Sequence, residues 1–314
     1  MDSVQLARPE PAVTAVPPGR RPRPLVNQRL IGLLFVSPFV LVMLAFLVTP
    51  LAYSLWLSLQ RTTLVAGEQF VGLANYAKAF ADPEFRRGVL RVLLFGLVQI
   101  PIMLGLALLG ALILDAVTGR LAKLFRLTLF MPYAVPAVIG ALMWGFLFSP
   151  NLGPVTGLTE ALGLGKVNLL STDLIMLGLG NVVTWQWTGY NMIVLYAALQ
   201  GLPREVYEAA ALDGAGQVTT ALRVKVPMIS SALVLAMVFT IIGTLQFFTE
   251  PQVLRPIAGT AISGGFTPNV YAYNMAFQYS DFNYSAAISF ALGTVVFVGS
   301  YAFLFLTRRR SGLR

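Results

Sequence analysis

The sequence contains no cysteine and no histidine. The first absence excludes disulfide staples and thiolate nucleophiles, and the second excludes imidazole metal ligands and the usual neutral-pH general base. Charge is scarce too, with Asp, Glu, Lys and Arg together making up 11% of the 314 residues. No GxxxxGK[ST] phosphate loop is present; the nearest fragment, GLGKV at Gly163 to Val167, lacks the spacing of the first glycine and the closing Ser or Thr. Nucleotide binding by that route is excluded. With few clustered acids, a catalytic set at a membrane surface is excluded as well.

What is present is oil. Hydrophobic residues make up 57% of the chain and the mean hydropathy is +0.75, a composition that does not describe a water-soluble surface. The formal charge of +9 raises nucleic acid as a partner, but the basic residues lie at the ends of hydrophobic blocks rather than in an aromatic-interleaved stripe. That placement suits a membrane protein with basic loops on one side.

Residues 1 to 29 are rich in Pro and Arg, as in PPGRRPRP at Pro17 to Pro24, and read as a disordered cytoplasmic tail rather than a cleaved signal. The rest, 30 to 314, reads as one transmembrane domain. Six blocks reach the length of a helical span of about 20 residues: roughly 30 to 58, 91 to 114, 125 to 149, 174 to 200, 230 to 253 and 284 to 306. The fold class expected is therefore an all-α membrane protein of six transmembrane helices. Pro38, Pro50, Pro101, Pro132 and Pro136 interrupt these blocks and mark candidate kinks. Fifteen of the 22 Lys and Arg residues fall on the side of the two termini, which predicts both termini in the cytoplasm. Arg86, Arg87 and Arg91 run against that rule as a local exception.

The segment from about 201 to 229 joins the fourth and fifth spans on the predicted cytoplasmic side and is too structured for a connector. Gly201 can end one helix, Pro203 suits the first turn of another, and Glu205 and Glu208 lie near its positive end. Asp213, Gly214, Ala215 and Gly216 then break it, and a second short helix follows from Gln217 to Arg223.

No ionisable residue sits near the middle of a span; Asp115, Glu250 and Arg255 fall at predicted span ends, where snorkelling or loop positions account for them. Ion- or proton-coupled relays thus lack their parts. The spans instead carry uncharged polar groups mixed with aromatics, densest in NVVTWQWTGYN. At helical spacing Asn181, Thr184, Trp185 and Thr188 form a stripe, with Gln186, Tyr190 and Asn191 beside it. The fifth span offers Thr240, Gly243, Thr244 and Phe247, with Gln246 and Glu250 on another face. Such groups serve either as the lining for a neutral polyol or as interhelical glue.

The string EAAALDG, Glu208 to Gly214, is followed after nine residues by Val224, Lys225, Val226 and Pro227. That spacing resembles the EAA signature of binding-protein-dependent ABC importer permeases. FVGLANY at Phe70 to Tyr76, DPEF at Asp82 to Phe85, the run from Phe125 to Gly153, and LQGLPREVYEAA at Leu199 to Ala210 resemble the carbohydrate branch, the permeases of maltose and glycerol-3-phosphate importers. RPIAGTAISGGFTPN, Arg255 to Asn269, departs from the glycine-rich segment common in that branch.

The resemblance implies a type I importer permease of the cell membrane that takes up a sugar or oligosaccharide. It implies pairing with a second permease subunit, two cytoplasmic ATPase subunits that hydrolyse ATP, an extracytoplasmic binding protein that delivers the solute, and no cofactor on this chain. By the same resemblance, the loop is a coupling element docked on the ATPase: Glu208 pairs with a basic group there, Ala209 and Ala210 permit close approach, and Asp213 and Gly214 form the turn. Asn181, Thr184, Trp185, Gln186, Thr188, Tyr190 and Asn191, facing Thr244, Gln246 and Phe247, would line the solute path. A channel or secondary transporter for a small neutral solute, with no ATPase partner, is the alternative.

Overall fold

Long apolar runs without helix breakers leave the backbone only itself to hydrogen-bond in lipid, so they fold as helices. The computed structural model describes residues 28–63, 67–117, 119–163 and 165–307. The predicted tail, 1 to 29, lies almost entirely outside the described residues. The chain divides into two units, Met1–Ala52 and Tyr53–Arg314. In the first, α1 (Gln28–Met43) passes through a five-residue π segment (Leu44–Val48) into α2 (Thr49–Ser58), which runs on into the second unit.

The second unit opens with a hairpin of β1 (Gln60–Thr63) and β2 (Gly67–Phe70), paired antiparallel with Gln60 opposite Phe70. Then follow α3 (Ala74–Ala81), α4 (Pro83–Ala116), α5 (Gly119–Ala134), α6 (Ala137–Leu147), α7 (Pro154–Ala161) and α8 (Ile175–Gln200). The loop segment holds α9 (Arg204–Leu212), α10 (Gln217–Thr220), a π turn (Ala221–Lys225) and α11 (Val226–Met228). The chain ends with α12 (Ser230–Leu245), α13 (Thr249–Ala258), α14 (Pro268–Phe277) and α15 (Phe282–Thr307).

Among the described residues, three helices are long and apolar enough to cross a membrane by themselves: Ile31–Ser58, Pro83–Ala116 and Phe282–Phe305. The predicted third span is two helices, α5 and α6, bent by 97°. Of the five prolines expected to kink spans, Pro136 precedes α6 at that break and Pro132 lies two residues before the end of α5, whereas Pro38 and Pro101 lie inside helices that continue and Pro50 is the second residue of α2, just after the π segment. The predicted fifth span also departs from a single rod. Its helix stops at Leu245, and α13 begins anew at Thr249 after three residues outside any helix. The helix α8 is long enough to span and carries no charge, but its polar groups keep it out of the apolar class.

The core of the second unit is the pairing of α4 with α8. Buried positions on α4 recur at three- and four-residue steps, including Val92, Phe95, Gly96, Gln99, Met103, Ala107 and Ala111, which puts them on one face. Small residues allow close approach: a Cβ on Gly180 would stand 2.9 Å from the Gln99 amide oxygen, and one on Gly110 3.0 Å from the Met192 sulfur. In lipid this packing, not hydrophobic transfer, drives association. The opposite face of α4, with Leu94, Leu97 and Val98 exposed, suits contact with acyl chains.

At the N-terminal end of α4, Asp82 caps the helix by accepting from the Glu84 amide at 2.8 Å, and its second oxygen accepts from the Tyr271 and Tyr284 hydroxyls at 2.6 and 2.8 Å. One carboxylate thereby ties α4 to α14 and α15. Burial by itself would raise its pKa, but the two phenols and the amides of Glu84 and Phe85 outweigh that and hold it below the ordinary value. Burial, and then the same carboxylate, push the Tyr271 phenol up. Asp82→Asn should cost about 2 kcal/mol at neutral pH through loss of charge-assisted bonds. Because the native pKa is the lower one, the difference from wild type should hold above about pH 4 and vanish as pH falls through the native value. Thermal unfolding of both proteins in detergent from pH 7 to pH 3 checks this; a difference that grows on acidification would contradict it.

Arg91 and Arg87, which run against the charge-sidedness rule, are held locally. Arg91 donates to the Phe266 carbonyl at 2.6 Å and lies over the Phe266 ring. Arg87 donates to the Pro83 carbonyl and pairs with Glu84.

Candidate functional site

Two features at different depths of the fold carry the polar chemistry. The first is the loop between α8 and α12. Pro203, extended at φ −61° and ψ 139°, precedes α9, and the helix closes on Gly214 at φ +75°. The Ala215 amide donates to Ala210 O and the Gly214 amide to Ala211 O, both at 3.0 Å, which is the Schellman pattern with glycine in the left-handed position. This turn requires Gly214, since a side chain there would be strained.

Glu208, Ala209, Asp213 and Gly214 lie exposed, whereas Ala210 is turned inward and buried. Ala210 therefore packs against its own chain instead of offering a close approach to a partner, because it stands on the inner face of a short amphipathic helix. The residues missed by sequence reasoning are apolar. Leu212 is 90% exposed and Val218 71%, with Leu222 also exposed beside the turn. Three uncovered aliphatic side chains in a polar loop were the signal that could have found them.

A buried polar joint fixes this loop to the long helices. Asp115, at the end of α4, pairs with Lys225 of the π turn at 2.6 Å and accepts from Gln200, at the end of α8, at 2.9 Å. The Lys225 ammonium also lies 4.7 Å from the Tyr207 ring centre, and the Tyr207 hydroxyl donates to Leu199 O at 3.3 Å. Burial first, and then the Asp115 carboxylate, push the Tyr207 phenol up. Four segments, α4, α8, α9 and the entry to α12, thus meet at one ion pair. In the sequence, Asp115 shows only as a helix-end residue.

The second feature is a cavity of about 320 Å³ among α4, α8, α12 and the break before α13. It sits at the lower end of the usual ligand-pocket range of roughly 300 to 1,000 Å³. Tyr190, Asn191, Thr244, Gln246 and Phe247 of the predicted path line it, together with Trp187, Thr240 and Glu250. Tyr133 of α5 stacks on Tyr190 at 4.8 Å and meets Trp187 edge-on at 5.4 Å, so three rings form a continuous aromatic ledge. The break that opens the cavity is itself braced. The Thr267 hydroxyl donates to Phe247 O at 2.9 Å while accepting from the Val270 amide, and Phe247 stacks on Phe95 at 5.0 Å.

The remaining predicted path residues point elsewhere. Gln186 donates to Val135 O at 3.1 Å, capping the carbonyl at the α5–α6 break. Trp185 packs edge-on against Trp144. Thr188 donates to Thr184 O and Thr184 to Gly180 O, while the Gln99 amide donates to Thr184 at 2.5 Å. Asn181 and Thr184 face a separate groove beside α4 that includes Arg91 and Gln99. A stripe on one helix face is thus divided among three neighbours.

Residues 103–311 match the family described as the inner membrane component of binding-protein-dependent transport systems. The chain belongs to this family. It is 32% identical to the lactose transport system permease protein of Rhizobium radiobacter, over 89% of this chain and 94% of that one. It is 30% identical to the diacetylchitobiose uptake system permease protein of Streptomyces coelicolor, over 97% of this chain and 89% of that one. Its fold matches, with a TM-score of 0.79, a chain of a bacterial alginate ABC transporter crystallised with an alginate pentasaccharide-bound periplasmic protein, at 20% identity over 90% of this chain and 96% of that one. The chain is a transport permease of the type I importer fold, and the loop from α9 to α11 carries the signature segment read from sequence.

Proposed function

We propose that this chain is one permease subunit of a saccharide importer in the bacterial cytoplasmic membrane. It pairs with a second permease subunit, receives cargo from an extracytoplasmic binding protein, and is driven by two ATPase subunits that bind and hydrolyse the ATP. The chain itself binds no cofactor. Its six membrane segments, with α5 to α6 counted as one bent span, leave both termini and the α9–α11 loop on the ATPase side. The saccharide class rests on the aromatic ledge of Tyr133, Trp187 and Tyr190 beside amide and hydroxyl groups, since sugar rings present C–H faces for stacking and hydroxyls for bonding. Relatives named for lactose and diacetylchitobiose transport support the same class.

The observation that carries the coupling role is a folded, capped element with uncovered Leu212, Val218 and Leu222 around Glu208, on a chain with no energy source of its own. An ATPase cleft would cover those apolar groups and pair with Glu208. Rigid attachment through Asp115 and Lys225 would then pass its motion to α4, α8 and α12 as alternating access.

The test is reconstitution of the assembled complex. The permease should co-purify with an ATPase subunit, and loaded binding protein should stimulate ATP hydrolysis. Glu208→Lys should lower that stimulation about tenfold by placing like charges face to face, with membrane insertion unchanged. Transport that persists without an ATPase would establish the channel or secondary-transporter alternative instead.

A further inference from the structure

Glu250 is the feature of the cavity that the saccharide reading does not absorb. Its side chain is 6% exposed, and it sits in the first turn of α13, where helix N-terminal amides favour an anion. It pairs with no Lys or Arg and bonds to no other residue among those described; its carboxylate reaches back only to its own amide. A carboxylate held in a cavity wall without a cationic partner is stabilised by a ligand that supplies donors. Sequence reasoning placed it at a span end, where water could solvate it. The break at residues 246 to 248 instead turns it into the cavity wall.

The rest of the polar wall is neutral, with Trp187, Tyr190, Asn191, Thr240, Thr244 and Gln246 supplying donors as well as acceptors. The Asn191 amide donates one hydrogen to the Trp187 carbonyl at 3.1 Å, which leaves its second hydrogen and its oxygen to offer cargo. Among the described residues, no Lys or Arg lines the cavity. Arg255, one and a half turns further along α13, donates to Asn274 instead.

We infer that Glu250 is a cargo-binding residue that selects by charge. It accepts hydrogen bonds from the hydroxyls of neutral saccharides or the ammonium of amino sugars, and it excludes saccharides carrying carboxylate or phosphate. The inference rests on the saccharide-permease reading and narrows it. An anionic sugar would meet the Glu250 carboxylate with no compensating cation among the described lining residues, and like charges repel.

The test uses the assembled complex in nanodiscs and three probes: maltotriose, a glucosamine trimer and a galacturonic acid trimer. Binding is read from quenching of tryptophan fluorescence, to which Trp187 in the wall contributes, and by calorimetry. Wild type should bind maltotriose and the glucosamine trimer and exclude the acidic trimer. Glu250→Gln should weaken the glucosamine trimer about 10- to 100-fold, as loss of a charge-assisted bond does, and admit the acidic one. Glu250→Asp, which keeps the charge, should still exclude it, so a fold defect common to both variants is separated from a charge effect. Strongest binding of the acidic trimer by wild type, an unchanged order in Glu250→Gln, or binding of none of the three would each overturn the inference. ATP hydrolysis stimulated by loaded binding protein is measured on the same samples. Stimulation with unaltered charge selection rejects the role of Glu250 alone, whereas no stimulation in wild type rejects the importer reading beneath it.

Discussion

Gly189→Ala should lower the stability of the permease by about 3 kcal/mol or more, and Gly189→Leu should prevent recovery of folded protein. A Cβ at Gly189 would stand 1.8 Å from the Leu129 carbonyl oxygen and 2.9 Å from the Phe130 Cα. The obstacle is main chain, so no rotamer change relieves it and α5 must move off α8. That movement would separate Tyr133 on α5 from Tyr190, the neighbour of Gly189, and take the aromatic ledge apart. Gly293→Ala on α15, where a Cβ meets nothing within 4 Å, serves as the control and should be neutral. Melting temperatures and monodispersity in detergent decide it; equal values for the two alanine variants would contradict the close crossing of α5 and α8.

Asp115→Leu should be nearly as damaging, at about 3 kcal/mol. Its partner Lys225 is 15% exposed at the side chain, and Asp115 itself 8%, so removing the carboxylate leaves an ammonium whose remaining partner among the described residues is the Tyr207 ring. Replacing both, as Asp115→Leu with Lys225→Met, should restore most of the stability, since the cost lies in the uncompensated charge rather than in the absent pair. Coupling should not return with it. The joint connects α4, α8 and α9 through directional bonds from Gln200 and Lys225 and a cation over Tyr207, none of which Leu and Met replace. Stimulated ATP hydrolysis in the complex should therefore stay several-fold below wild type in the double variant. Full recovery of both readouts would reduce the joint to packing.

The loop was legible in sequence because its cues are local. Pro203, the acid-rich first turn, the alanine run and the Asp213–Gly214 stop specify helix and turn within a dozen residues, and the structure has α9 from Arg204 to Leu212 and the turn at Gly214. Ala210 was misjudged for a reason of the same kind: spacing along a helix does not say which face meets the rest of the chain. The hairpin of β1 and β2 escaped notice because QRTT and GEQF carry almost no hydrophobic alternation. It is held by side chains outside the hairpin, with Asn283 from the far end of the chain accepting from Thr62 and Asn75 donating to Ser58 O and Gln60 O.

The cavity was half legible. Tyr190, Asn191, Thr244, Gln246 and Phe247 could be named because polar groups in an apolar helix are conspicuous. Their neighbours Trp185, Gln186 and Thr188, one helix face away, could not be told from them, because whether a polar side chain bonds a helix or faces a space depends on which helix passes in front of it. Tyr133 and Glu250 joined the site through the breaks after Ala134 and Leu245.

By itself, the sequence determined an α-helical membrane protein without histidine or cysteine chemistry, without a nucleotide loop of its own, and with a capped helical element between its fourth and fifth apolar blocks. Composition, hydropathy and local turn chemistry are sums over near neighbours, and they need no fold to be read. Only the tertiary structure decided that the third and fifth blocks break, that Asp115 and Lys225 meet from positions 110 residues apart in the chain, and that Glu250 faces a cavity instead of solvent. Those outcomes depend on where one helix crosses another, and a crossing is fixed by close-packed surfaces such as Gly189 against Leu129, whose match is written in no single stretch of the chain.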